Sequence, residues 1–541
     1  MAHDGAAAGA FRRRGVFAFA LLSVAASAFG HDEKPGEPVK PKLAKSAAYD
    51  TRVEALSLRD CIRMAVLRNA DVQVERYNPE ITDAELQSLY GDFDVVSFAE
   101  SHYRKAKQDT QQTGSGLNFF LSFLNLNNAV IIHEDTYKLG FRKKWDLGTE
   151  TEISYFVRRN KTVSGTSAAP LYTGEFQWKF RQPLLSGFGQ KATLAKTRRT
   201  EADLAASEHA LTDLVSRTVG DVEQAYWDLV FAIRDRDSRR EVVELAHEIL
   251  HFNEKKVADG LAEPIIVIQA QASEAQFQDG FIQAQYRVKA AEDALRKLIE
   301  HTDNPNYWTY SIEPTDTPVV YSEVPELSNV LGHVFEQRWD FQKLLKEIEG
   351  MRATVAGAGN ATLPKFDFVW SYSRTNFDRN LSLAMYDSIY EKYDDWDVGF
   401  VLEYPLGNNA ALGRERRAKL EVLQAQTRLK GLERRIMKDV TEGVRDVRSG
   451  LERVDATRKA VDLGRKKLEA EREKYNLGLA SGQFVLEYQK DLSVSLQDET
   501  TSLRDYNKAW ARLRRAMGIN LQGLEDVVRA ARQTPDDARG E

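Results

Sequence analysis

Apolar side chains alternate in steps of four and three residues along a proline-free segment from Gln190 to Phe252. This spacing is typical of a coiled-coil seam, and a second apolar row beside it predicts a helix with neighbours on both sides. At ~1.5 Å per residue the helix would be roughly 95 Å long. A turn is predicted at Asp259-Gly260-Leu261, followed by a return helix to about Glu300. The seam comprises Leu204, Leu211, Val215, Val222, Leu229, Leu245, Ile249 and Phe252, and the second row comprises Leu214, Val219, Tyr226, Val230 and Ile233.

The same helical hairpin is predicted a second time, with a long helix from Arg414 to Tyr475 and a return helix from Gln483 to Met517. The turn Gly260-Leu261-Ala262 of the first copy aligns with Gly478-Leu479-Ala480 of the second. Such self-similarity indicates an internal duplication. We place the first repeat at 51–303 and the second at 326–521, with a linker at 304–325 and a polar tail at 522–541.

Between the helices, the period of the apolar pattern changes from 3.6 to 2. Each such segment predicts a strand with one aromatic-rich apolar face and one polar face. Their length and alternation are typical of a transmembrane β-barrel. One chain supplies too few strands to close such a barrel, so we expect several copies to share it. The strands are predicted at about 93–105, 136–160, 174–183, 364–375 and 396–406.

Two helices are predicted between Leu58 and Tyr90, with Asn78-Pro79 as the break between them. Leu327 to Gly350 has the same role in the second repeat. The only cysteine, Cys61, is expected to be a small buried side chain of the first helix.

The 541 residues carry a net charge of −6, which argues against a nucleic-acid binder because such proteins have a basic excess. Arg12-Arg13-Arg14, an apolar run and Ala26-Ser27-Ala28 predict a secretory signal peptide at 1–28. A flexible, Lys- and Pro-rich leader is predicted at 29–50.

Four motifs carry a resemblance to a known family. They are Leu56–Ile62, Arg181–Gly189, Val222–Leu229 and Tyr475–Leu479, and they occur in order over two repeats. In these motifs the sequence resembles the TolC-like outer-membrane efflux proteins. The resemblance implies a mixed, mostly α fold, in which a homotrimer shares an α-barrel of long coiled-coil helices and a transmembrane β-barrel.

The resemblance also implies an outer-membrane channel of a tripartite efflux or type I secretion system in a Gram-negative-type bacterium. Such a channel is a passive duct with most of its mass in the periplasm, and it is not an enzyme. Its implied partners are a periplasmic adaptor (membrane fusion protein), an inner-membrane pump and outer-membrane lipid. No cofactor and no nucleic acid are expected.

In this family the helical turns close the periplasmic mouth, so the resemblance implies a gate at Gly260 and Gly478. Tyr475 matches the family's tip pattern, Glu487 falls at a carboxylate position, and Glu263 is the nearest acid in the first repeat. Three copies of Glu487 around an axis would attract cations. The alternative is that Glu487 is a solvated position on a charged helix. The tips depart from the family's pattern at Ile266, Ala480 and Phe484.

A strand-to-helix corner is predicted at Pro183, Gly187 and Gly189, and it is echoed by Pro405 and Gly407. Glycine suits such corners because it adopts backbone conformations that other residues avoid.

The first repeat contains an additional amphipathic pair of segments, Tyr137–Trp145 and Thr149–Val157. The pair could add two strands to the barrel, giving six per chain, or project beyond the membrane as a hairpin. Lys143 lies on the otherwise apolar face, and a lipid-facing lysine near the midplane costs ~2–4 kcal/mol. We therefore expect four barrel strands per chain and a projecting hairpin.

One short motif suggests an enzyme. His247-Glu248-Ile249-Leu250-His251 matches the H-E-x-x-H pattern of zinc hydrolases. We reject His247, Glu248 and His251 as a metal site, because Ile249 lies in the seam and no convincing third ligand follows. The rival from another class is a secreted periplasmic coiled-coil scaffold, which would be extracted without detergent.

Overall fold

The computed structural model describes residues 53–108, 130–164, 166–167, 170–299, 311–321, 323–390 and 393–532. The predicted signal peptide and leader lie outside these residues. The elements in chain order are β1 (Val53–Leu56), α1 (Leu58–Arg68), α2 (Ala70–Tyr90), β2 (Val96–Gln108), β3 (Val130–Lys144), β4 (Glu150–Ser164), β5 (Thr166–Ser167), β6 (Leu171–Pro183), α3 (Gln190–Thr193), α4 (Ala195–Ala258), α5 (Ile265–Ile299), β7 (Ser311–Pro314), α6 (Leu327–Leu331), α7 (Val334–Gln337), α8 (Trp339–Asn360), β8 (Lys365–Asp378), α9 (Leu381–Tyr390), β9 (Tyr393–Glu403), α10 (Asn409–Asn476), α11 (Gly482–Met517) and α12 (Glu525–Arg532).

Two helical hairpins contain the longest elements of the structure. α4 has 64 residues and returns through α5, and α10 has 68 residues and returns through α11. The predicted seam of α4 is buried at Leu211, Val215, Val222, Leu229 and Ile249, whereas Phe252 near its end is exposed. The coiled-coil pattern therefore predicted both hairpins.

The helix break predicted at Asn78-Pro79 is wrong. α1 ends at Arg68 and α2 begins at Ala70, with Pro79 inside it. Asn69 adopts an extended conformation, and its Oδ1 accepts from the N–H groups of Asp71 and Val72. This N-cap provides partners for donors that a helix start leaves free. Pro79 lies in the interior of α2, which continues through it although proline has no N–H for the helical hydrogen bond.

The second repeat breaks at the aligned position. α7 ends at Gln337 and α8 begins at Trp339, with Arg338 extended between them. The Arg338 guanidinium donates to Asp340 Oδ2 at 2.6 Å and Oδ1 at 2.9 Å. Burial alone would raise the pKa of Asp340, but the hydrogen bonds from Arg338 lower it. The two repeats thus share a helix break, and each is stabilised by a different side chain.

One antiparallel sheet contains six long strands in the order β2-β3-β4-β6-β8-β9, and the short β5 pairs with β4. The prediction of a hairpin projecting from four strands is therefore wrong. β3 and β4 pair with each other and with β2 and β6 along most of their length. The turn between them also packs on the first corner, where the Gly189 N–H donates to Leu147 O at 3.0 Å.

The position of Lys143 is compatible with β3 and β4 as strands of this sheet. Lys143 is the penultimate residue of β3. Its Nζ lies 4.5 Å from the centroid of the Trp145 ring. A lysine at a strand end can place its charge beyond an apolar band while its stem covers apolar surface. The ~2–4 kcal/mol cost of a lipid-facing lysine near the membrane midplane therefore does not apply to Lys143.

The predicted linker and tail are partly structured. β7 pairs in parallel with β1. The Tyr321 N–H donates to the hydroxyl of Tyr506 at 3.0 Å. In the predicted tail, α12 buries Val527 and Ala531 in the main core. β7 has four residues and α12 has eight, so neither is long enough for a periodic pattern to reveal its packing.

Within the described part of the chain, no helix combines the length and the apolar character needed to cross a membrane.

We predict that Asn69→Ala lowers the free energy of unfolding by about 1 kcal/mol, because α2 loses its N-cap. Asn78→Ala is the matched control. Asn78 is exposed and its side chain bonds only Glu75, one turn away, so we expect little change. Thermal unfolding of the purified variants measures both effects. A larger loss for Asn78→Ala would contradict the assigned helix break.

Candidate functional site

The turns of the two hairpins have the same backbone geometry. Gly260 and Gly478 have φ angles of +71° and +73°. Leu261 N–H donates to Lys256 O at 2.9 Å, and Leu479 N–H donates to Lys474 O at 2.8 Å. This is the Schellman arrangement that ends a helix on a left-handed residue. A Cβ at either glycine would have free space, so the positive φ is what favours glycine.

Three leucines cover these turns and are largely exposed. The exposed fractions are 75% for Leu261, 74% for Leu477 and 77% for Leu479. Grouped apolar side chains on a surface often mark a contact with another molecule. The end of the hairpins is therefore a candidate binding surface.

Tyr475 joins the second hairpin to the first. Its hydroxyl donates to Asn253 Oδ1 at 2.6 Å, and Lys256 Nζ donates to the Tyr475 carbonyl at 3.1 Å. Lys256 Nζ also lies 3.6 Å from the centroid of the Tyr475 ring, where a cation is attracted to the π-face. We call Asn253, Lys256 and Tyr475 the inter-hairpin clasp.

An ion pair reinforces the clasp one turn away, where Arg472 Nη2 lies 2.9 Å from Glu248 Oε2. Burial raises the pKa of the Tyr475 phenol, so its hydroxyl keeps the proton that it donates. Burial also lowers the pKa of Lys256, whereas the ring face favours its charged form. The clasp is a set of short contacts that holds the two hairpins together near their turns.

The structure does not bring the predicted gate carboxylates into this clasp. The side chains of Glu263 and Glu487 are exposed, and neither carboxylate makes a hydrogen bond or ion pair with any residue that the structure describes. Of the predicted gate residues, Gly260, Glu263, Tyr475 and Gly478 lie at or beside the hairpin turns, and Glu487 lies near the start of α11. The acidic ring remains a prediction.

Both predicted corners are held by the end of α8. Gly187 has a φ of +87° and its N–H donates to Asn360 Oδ1 at 2.6 Å. At the second corner Gly407 has a φ of +96°, and Asn408 Nδ2 donates to Thr362 O at 2.8 Å. Residues 360–362 therefore connect both strand-to-helix corners. Gly189, with a φ of +84°, immediately precedes α3, and Pro183 and Pro405 lie at or near the strand ends.

The H-E-x-x-H side chains have separate partners. His247 Nδ1 lies 2.9 Å from Glu274 Oε1, Glu248 pairs with Arg472, and His251 Nδ1 lies 3.9 Å from Glu254 Oε2. Across the described ranges, no group of three or more His, Cys, Asp or Glu side chains could hold a metal ion. This geometry assigns the motif to the surface of the coiled coil.

Sequence reasoning missed Asn253 and Lys256 as clasp residues. Asn253 is fully buried, four residues after Ile249 and therefore in line with the seam. A polar residue in a seam fixes which helices pair, and this signal could have identified it. The partner of Asn253 lies in the other repeat, so the sequence alone could not have supplied it.

The sequence model of the family described as outer membrane efflux protein matches residues 150–300 and 330–519. Sequence comparison with curated proteins gives no match. Among solved structures, the fold is similar to the CmeC outer membrane channel of Campylobacter jejuni, with 14% identity, 87% of this chain and 89% of that chain covered, and a TM-score of 0.63. The fold is also similar to VceC of Vibrio cholerae, with 16% identity, 85% of this chain and 96% of that chain covered, and a TM-score of 0.61. For the open state of the MtrE channel of Neisseria gonorrhoeae, the identity is 13%, the coverage is 92% of this chain and 99% of that chain, and the TM-score is 0.59.

We predict that Tyr475→Phe weakens the clasp by about 1–3 kcal/mol, because a buried hydrogen bond is lost while the ring remains. Amide hydrogen exchange in residues 470–480 should accelerate, since local opening becomes easier. The measurement is hydrogen–deuterium exchange with mass spectrometry.

Tyr488→Phe is the matched control for this experiment. Tyr488 lies near the same turn, and Lys467 Nζ lies 3.7 Å from its ring centroid. Its hydroxyl has no hydrogen-bond partner among the residues described, so exchange should not change. Equal acceleration in both variants would show that the Tyr475 hydroxyl has no special role.

Proposed function

Because this chain belongs to the outer membrane efflux protein family, we propose that it is the outer-membrane channel of a tripartite efflux or type I secretion system. Three copies would form a passive duct, with the sheets in the membrane and the helical hairpins in the periplasm. The observation that carries this proposal is a slanted apolar band on one face of the sheet.

The band follows from the register of the strands. One row of paired residues consists of Phe141, Ile153, Trp178, Tyr372 and Trp396, and it crosses five strands. On β3 the band extends from this row away from the helices, to Tyr137, and on β9 it extends toward them, to Leu402. Many of its side chains are exposed in the single chain, including Trp396 at 69% and Phe400 at 62%.

This displacement gives the angle at which the strands would cross a membrane. From β3 to β9, across four strand-to-strand spacings of ~4.8 Å, the centre of the band shifts by about 17 Å along the strand direction. The band is therefore slanted by about 40° from the perpendicular to the strands. A band lying level in a bilayer would tilt the strands by that angle. Strands of transmembrane barrels are tilted by ~35–45°. A soluble scaffold would not require this exposed, oblique aromatic band.

The opposite face of the sheet suits a water-filled lumen. It carries the ion pairs of Lys138 with Glu152 at 2.8 Å, Arg158 with Glu134 at 3.0 Å and Arg181 with Asp367 at 2.6 Å. Charged residues including Arg142, Lys144, Glu150 and Lys179 line a concavity of about 570 Å³ near its helical end. Polar interiors are typical of barrels that conduct solutes.

The edge strands support a ring of copies. β2 and β9 each pair on one side only, among the strands that the structure describes. Exposed edges of this length promote pairing with other chains. β2 and β9 run in opposite directions, so β9 of one copy can pair antiparallel with β2 of the next. A closed ring of three would contain eighteen long strands, six per chain.

The helical turns suit contact with a periplasmic adaptor. The exposed Leu261, Leu477 and Leu479 offer an apolar surface beside the inter-hairpin clasp. An adaptor that binds better when the clasp is broken would shift the hairpins toward an open state. In this proposal the inner-membrane pump supplies the energy of transport, and this chain supplies the conduit and its gate.

We predict that Phe400→Arg reduces the amount of folded protein in the outer membrane, since an arginine in the lipid-facing band costs ~2–4 kcal/mol. Val401→Arg is the matched control, because the next residue of β9 points to the polar face. Val401 is also exposed, at 49%. Membrane fractionation with immunodetection measures both variants, and equal loss would contradict the assignment of the two faces.

We also predict three-fold particles with an eighteen-stranded barrel in electron microscopy of the detergent-extracted protein. The barrel would lie at one end and the hairpin turns at the other. The same map would test the acidic ring, which requires three Glu487 side chains to converge on the axis. A monomeric or dimeric rod that needs no detergent would contradict the proposed function.

A further inference from the structure

A short helix covers part of the apolar face of the sheet. α9 connects β8 to β9 at the end of the sheet far from the helical hairpins. The Tyr155 hydroxyl lies 2.8 Å from Ser388 Oγ and 3.2 Å from the Met385 carbonyl. Arg374 Nη1 donates to Ile389 O at 3.1 Å. Tyr155 and Arg374 belong to the side of the sheet that carries the band, so α9 lies against that face.

The sheet has a glycine where α9 approaches most closely. A Cβ at Gly174 would lie 2.5 Å from the Ala384 carbonyl oxygen and 3.0 Å from Ser388 Oγ. Any larger residue would push the helix outward. Gly174 pairs with Val157, which in turn pairs with Tyr137. α9 therefore continues the apolar band of β3 and β4 across the outer end of β6.

The polarity of α9 is opposite to that of a helix on a water-soluble protein. Its buried positions, Ala384 and Ser388, are small. Its exposed positions include Tyr386 at 62%, Ile389 at 51% and Tyr390 at 66%. A surface helix in water normally buries its large apolar side chains and exposes polar ones.

α9 also contains only one charged residue. Asp387 is partly buried, and Asn376 Nδ2 donates to its Oδ2 at 3.4 Å. The outward face of α9 is therefore free of charge. Two of its aromatic rings, Tyr386 and Tyr390, lie 4.8 Å apart between centroids. Tyrosine is enriched where a membrane meets water.

We propose that α9 lies in the lipid, at the boundary between acyl chains and head groups of the leaflet farther from the helical hairpins. Its apolar outward face would lie against acyl chains, and its tyrosine hydroxyls would reach the head groups. This inference rests on the proposed function, because it requires the band to face lipid. It adds a helical lipid-contact surface to the strands.

Single cysteine variants carrying a bimane fluorophore can test this in liposomes. The native thiol does not compete, because Cys61 is buried and burial raises its pKa to about 12. Ile389→Cys reports on α9, Phe400→Cys on the band and Asp395→Cys on the polar face. Phosphatidylcholine with a doxyl group on its acyl chain quenches labels in lipid, and iodide quenches labels in water.

We expect doxyl lipid to quench the labels at Ile389→Cys and Phe400→Cys, and iodide to quench the label at Asp395→Cys. Quenching of the Ile389→Cys label by iodide alone would place α9 in water and overturn the inference. Quenching by neither agent would show that protein covers α9, which also overturns it. In both cases, lipid quenching at Phe400→Cys would leave the proposed function standing.

Loss of lipid quenching at Phe400→Cys would overturn the proposed function, and the inference with it. A second variant guards against a folding defect at Ile389. Tyr386→Cys places the label on the same outward face, one turn earlier, where the Tyr386 side chain is largely exposed and packs on Tyr390. It should give the same pattern of quenching as Ile389→Cys.

Discussion

The packing of α4 between the two repeats is the interaction on which the other elements depend. Tyr226 at its centre is fully buried, and its hydroxyl donates to Asp316 Oδ2 at 2.8 Å and accepts from the Asp316 N–H at 3.2 Å. Glu223 on the same helix pairs with Arg514 of α11. One helix of roughly 95 Å thus connects a core containing parts of both repeats to the first corner at one end and the clasp at the other.

Local pattern predicted the long helices and the long strands of this fold, and non-local contacts decided how they combine. Alternation along β6, β8 and β9 is a property of each strand, so sequence alone predicted all three. Whether β3 and β4 belong to the same sheet depends on which strands lie beside them. Lys143 was misleading because its place at the end of β3 is set by the pairing register, which the sequence alone does not give. The helix break at Asn69 was missed because proline is the stronger helix-breaking signal in a sequence, whereas α2 continues through Pro79.

The candidate site was predictable to a similar extent. The glycine turns and Tyr475 follow from aligned motifs, whereas Asn253 and Lys256 act through contacts between repeats. α9 escaped prediction for a different reason. Its small residues face the sheet and its large apolar residues face outward. The rule that a surface helix buries its large apolar side chains, which holds for water-soluble proteins, would therefore assign the wrong face of α9 to the sheet. Such a reversal is itself informative about the surrounding solvent.

The two strands β3 and β4 change the dimensions of the proposed duct. Barrel diameter grows roughly linearly with strand number. A ring of three such chains would therefore be about one and a half times as wide as a twelve-stranded ring, with about twice the cross-sectional area. The membrane section would then offer little resistance to diffusion. Discrimination among solutes would fall to the proposed gate at the hairpin turns, near which Tyr475 holds the two hairpins together.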